Sequence, residues 1–95
     1  MAYTTVTASA SAPQIIATVA APVTAITAGT LATRSLTIGG STPDMIFYVN
    51  WPLLDTGLVI AGVWCDTAGT VKLRLYNPTG GDITPGAQTL KVIGF

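Results

Sequence analysis

Residues 71–76, Val71-Lys72-Leu73-Arg74-Leu75-Tyr76, decide how this chain folds. Val71, Leu73 and Leu75 alternate with Lys72, Arg74 and Tyr76, so one face is aliphatic and the other carries two cations and a phenol, the period of a half-buried β-strand. Asp66-Thr67-Ala68-Gly69 opens the segment and Asn77-Pro78-Thr79-Gly80-Gly81 closes it, both with turn chemistry. Working outward, apolar and β-branched runs predict further strands near Ile15–Ala20, Val23–Thr27, Ala32–Ile38, Ile46–Asn50, Leu58–Cys65 and Thr89–Ile93. Ala21-Pro22, Ala28-Gly29, residues 39–44, Asp55-Thr56-Gly57 and Pro85-Gly86 separate them. Short strands, frequent turns and no helical period point to an all-β chain, a compact antiparallel β-sandwich or jelly-roll-like barrel. Leu58–Cys65 stands apart, because it is apolar at both parities. That pattern predicts a strand caught between the core and a second apolar surface, in a sandwich most simply another subunit.

A chain of 95 residues holds one domain, and at that size it buries only about 60–65% of its unfolded surface. Residues 1–14, MAYTTVTASASAPQ, offer little to bury and read as a loosely held N-terminal arm, leaving 15–95 as a single β domain. Hydrophobic residues make up 49% of the chain and charged ones 8%, more apolar material than a lone small domain hides easily. Assembly with other chains is therefore expected. The only cations, Arg34, Lys72, Arg74 and Lys91, cannot build the basic patch of a nucleic-acid binder. The uncharged run from Ile15 to Ala32 is broken by Pro22 and Gly29 and has no basic flank, so it reads as strands and not as a membrane span.

The missing residues narrow the chemistry. There is no His and no Glu, and the four acids Asp44, Asp55, Asp66 and Asp82 all sit in or beside turn signals. Cys65 is the single cysteine, so no internal disulfide forms and no tetrahedral zinc set exists within one chain, which fits a reduced, intracellular origin. It lies in Gly62-Val63-Trp64-Cys65 as a small buried hydrophobe with no His to activate it. No phosphate-binding loop, nucleophile elbow or calcium loop is present. These readings predict no catalytic residue, no cofactor and no metal, hence a non-enzymatic protein.

Gly69-Thr70 leading into Val71–Tyr76, then Asn77-Pro78-Thr79-Gly80, Ile83-Thr84-Pro85 and Gln88-Thr89-Leu90-Lys91-Val92-Ile93, resembles the terminal pattern of small phage virion proteins that decorate or cement the capsid. Thr42-Pro43-Asp44-Met45 and the apolar stretch from Leu53 to Val63 are similar to that group as well, so the resemblance spans about residues 36–95. It implies a β-sandwich or jelly-roll protomer, a homotrimer, on the exterior of the virion capsid. The phage major capsid protein would be its partner, and assembly would take place in the host cytoplasm. A clamp across subunit seams needs only buried apolar area, worth ~25 cal/mol per Å², and no reactive group. Other readings are a tail, fibre or neck component, and a small lectin-like ligand-binding module.

Candidate contact residues follow from residue type. Aromatic anchors are expected at Tyr3 in the arm, Trp51, Tyr76 and Phe95, with Trp51 and Tyr76 equally readable as core filling, and Lys72 and Arg74 either meet acids of a partner or form a solvated face. Trp64 is expected in the core.

Overall fold

The computed structural model describes residues 13–95. They form six strands: β1 (Ile15–Ala20), β2 (Leu31–Thr37), β3 (Phe47–Asn50), β4 (Val59–Thr67), β5 (Thr70–Tyr76) and β6 (Thr89–Gly94). A first sheet has the order β1-β6-β3 and a second the order β2-β5-β4, and all pairings are antiparallel. The chain is thus an all-β sandwich, with no helix among the described residues. Only β4 and β5 are joined as a hairpin within one sheet; every other connection crosses between sheets. First pairs with last and second with next-to-last, the nested winding of a jelly roll left open as two sheets.

The decisive stretch is the centre of the second sheet. Val71, Leu73 and Leu75 are fully buried, and opposite them Leu90 and Val92 fill the inner face of β6. Leu36, Phe47 and Cys65 complete the strand contribution, and the loops supply Ala21, Ile26, Ile38, Trp51 and Leu58. Each large aliphatic side chain removed from water contributes about 1.5–3 kcal/mol, offset by the entropy of ordering it.

The edges explain two departures from simple alternation. In β4 the register shifts between Ile60 and Gly62 and again between Cys65 and Thr67. The first shift resets the parity, so Ile60, Val63 and Cys65 face inward while Val59, Gly62 and Trp64 face outward. The apolar-on-both-faces pattern of 58–65 belongs, within one chain, to a bulged edge strand whose outer face keeps Val59 and Trp64. In β2 the inward row includes Arg34, which is half-buried and reaches out to donate from Nη2 to the Ala25 carbonyl at 3.2 Å. An inward-pointing cation on an edge strand opposes pairing with a foreign strand.

The expected strand at Val23–Thr27 is reduced to a single bridge, Ile26 to Ile83. Residues 1–12 of the expected arm lie outside the described residues.

Truncating Leu73 to Ala should lower stability by about 2–5 kcal/mol, whereas Leu53→Ala, at an exposed loop position, should stay within ~0.5 kcal/mol of the parent. Urea unfolding at one fixed chain concentration measures both.

Candidate interaction surfaces

The end of the sandwich that carries the long loops is built around one buried side chain. Asn77 directly follows β5 and is fully buried. Its Nδ2 donates to the Ile26 carbonyl at 2.9 Å and to the Gly81 carbonyl at 2.8 Å, while its Oδ1 accepts from the Thr79 amide at 3.0 Å and the Thr79 hydroxyl at 2.6 Å. An amide has two donors and an oxygen with two lone pairs, so its capacity is filled. Its backbone adds bonds to Thr30 and from Gly29. Asp82 accepts from the Ala28 amide, Asp55 from the Gly86 amide, and Gln88 exchanges two bonds with the backbone of Leu53. Gly57, at φ +95°, lets the β3–β4 loop approach Thr79, where a Cβ would stand 2.8 Å from Cγ2. The residues read as turn formers thus tie three crossing loops into one rigid end.

Asp55 and Asp82 each accept one backbone amide through Oδ1, and Cys65 is buried with its thiol donating to the Thr67 carbonyl at 3.1 Å. Among the described residues no cluster of three or more His, Cys, Asp or Glu is placed to hold a metal ion, and no helix is long and apolar enough to cross a membrane. Asp44 accepts a hydrogen bond from the Thr42 hydroxyl, and this, followed by its own backbone amide, holds its carboxyl below the ordinary carboxylate value.

What the molecule presents outward is two sheet faces. On the second sheet Leu31, Tyr76 and Val59 form one row across the three strands, all three exposed. Below it Lys72 and Arg74 project from the same face of β5. Arg74 places its guanidinium carbon 4.8 Å from the centroid of the Trp64 ring, and Lys72 donates to the Ser35 hydroxyl at 3.0 Å. On the first sheet Phe95 packs edge-on against Tyr48, with centroids 5.9 Å apart and planes at 87°.

Of the expected contact residues, Lys72, Arg74 and Tyr76 come together on one face, and Phe95 lies on the opposite sheet. Trp51 is a correction: it continues the inward parity of β3 and is only 6% exposed, so it is a core residue and not a surface anchor. Its indole Nε1 is buried without a partner among the described residues. Trp64 is the converse, because the β4 bulge turns it outward beneath Arg74. Tyr3 lies outside the described residues. Leu31, Val59, Ile16, Ile46 and Tyr48 are surface residues that residue type alone did not mark; strand parity marks them once the register is known.

Comparison with protein families, with curated proteins and with solved structures finds no match for this chain.

Two outcomes follow. Replacing Asn77 with Ala should cost about 1–3 kcal/mol, since the Thr79 amide loses its acceptor and the Ile26 and Gly81 carbonyls each lose one of two donors, and Asn77→Asp should cost more at neutral pH because it sets a carboxylate against those carbonyls; denaturant unfolding reads both. Because the Asp44 pKa is depressed in the fold, its contribution is present above the ordinary carboxylate value and lost as pH falls through the lowered one. An NMR titration should show Asp44 protonating below its ordinary value, and Thr42→Val should raise it.

Proposed function

We propose that this chain is a non-enzymatic structural protein of a phage virion, a decoration or cement protein that binds the outside of the capsid and spans contacts between major capsid protein subunits. The observation that carries the reading is the outer face of the second sheet, where Leu31, Tyr76 and Val59 lie beside Trp64, Arg74 and Lys72. An apolar row backed by two cations gives a protein partner buried area together with orientation. The resemblance of residues 36–95 to capsid-decorating proteins supplies the kind of partner, three copies as the assembly and the virion exterior as the location.

Within that reading the parts have distinct roles. Tyr76, Leu31 and Val59 bury apolar area, and Arg74 and Lys72 meet acidic groups on the shell. A guanidinium that already lies over the indole weakens the lectin-like alternative, because sugars stack on uncovered aromatic faces. The rigid loop end holds β5, and with it both cations, in a fixed direction. The N-terminal arm is assigned to the capsid or to a neighbouring copy.

Cosedimentation with emptied phage heads tests the proposal. The parent chain should pellet with heads, and the double variant Lys72→Glu/Arg74→Glu should bind about tenfold or more weakly, equivalent to ~1.4 kcal/mol or above. Deleting residues 1–14 should weaken binding further; unchanged binding removes the arm's role. A parent chain that never pellets with heads overturns the assignment.

A further inference from the structure

We infer that the outer corner of the first sheet, formed by Ile16, Ile46, Tyr48, Ile93 and Phe95, is the contact between copies of this chain. Register places these residues together. Ile16 and Tyr48 both lie opposite Ile93 across the three strands, so the row Ile16–Ile93–Tyr48 shares one face. Beyond the strand ends Ile46 and Phe95 exchange two backbone hydrogen bonds, at 3.2 and 2.9 Å, and continue the same parity. Ile16 is 66%, Ile46 65% and Tyr48 62% exposed.

The solvent face of an antiparallel sheet is ordinarily polar, and the next row of this one is: Thr18, Lys91 and Asn50. The apolar corner is therefore local and not a property of the whole face. It exposes roughly 400–500 Å² of apolar side chain, within the ~300–600 Å² of a typical monomer's largest patch, which is often functional. Against the ~800 Å² that each partner buries in a stable interface, it supplies about half as an apolar centre.

The chemistry selects a second copy as the occupant. Where copies converge on a rotation axis, two-fold or three-fold, a charged side chain at the axis faces its own like, so a patch seated on the axis is favoured when its side chains are neutral. All five here are neutral. The charged side chains nearest in sequence are Lys91, two residues along β6 from Ile93, and Asp44, two residues before Ile46, and they are opposite in sign. The orienting cations Lys72 and Arg74 lie on the other sheet, where an unlike partner is proposed.

The inference takes from the proposed function only the expectation of several copies, and its test separates the two. Light scattering after gel filtration of the full chain, over a range of concentrations, should give a mass near three chains. Ile16→Lys/Tyr48→Lys should reduce the mass about threefold, to one chain, with circular dichroism unchanged. Val59→Lys on the opposite sheet should keep the parent mass. If the double lysine variant does not fold, Ile16→Thr/Tyr48→Ser should give the same loss at low concentration. A parent that is monomeric throughout, or a folded corner variant of undiminished mass, overturns the inference. Loss of mass at the corner with no binding of the parent to heads leaves this contact standing and removes the virion reading.

Discussion

No strand of one sheet pairs with a strand of the other, so the sandwich is held by what its inner faces bury and by how its crossing loops are fastened. That constraint is severe in a chain this small. The inward rows of β5 and β6 must be apolar without exception, and they are: Val71, Leu73, Leu75, Leu90 and Val92 are all removed from solvent. With four of the five connections crossing between sheets, the loops are as much a part of the core as the strands. Asn77 is the polar counterpart of that core. One amide joins groups from two loops, the Ile26 carbonyl of one and the Thr79 and Gly81 groups of the other, directly after β5.

Once the inner faces are filled, the outer faces are free to differ, and their difference carries the functional account. The second sheet sets cations beside aromatic and aliphatic groups; the first gathers neutral apolar side chains at one corner. Neither arrangement is demanded by folding, since Ile16, Tyr48, Leu31 and Val59 leave about half or more of their surface in water in the isolated sandwich. A mixed face suits an unlike partner that must be oriented. A neutral face suits copies of itself. The edges are consistent with contact through faces: β3 is four residues long, β4 is bulged and β2 carries Arg34 inward, three ways of discouraging stray strand pairing.

Much of this was legible in the residues. Ile15–Ala20 begins and ends where alternation and Pro22 place it, and Val71–Tyr76 has the inward row its pattern implies. Legibility stopped where an extra residue changed the parity. The bulge after Ile60 sends Trp64 outward, with Gly62 within the strand its one local sign, and Trp51 takes a core place while Trp64 leaves it. Asn77 carried a turn signal and is part of a turn, but its partner Ile26 lies 51 residues away, a distance no local pattern spans. Val23–Thr27 has strand composition yet finds a partner only at Ile83. The apolar corner was hidden for a related reason: its members come from three strands, and only the register brings them side by side.

The central claim is that the two outer faces are contacts of different kinds, one of them already covered in the assembled chain. Hydroxyl-radical footprinting of the native assembly, read by mass spectrometry, addresses it directly. Tyr48 and Phe95 should be protected while Trp64 and Tyr76 are oxidised, and dilution to single chains should expose Tyr48. Oxidation of Tyr48 in the assembly as fast as in the unfolded chain would contradict the account.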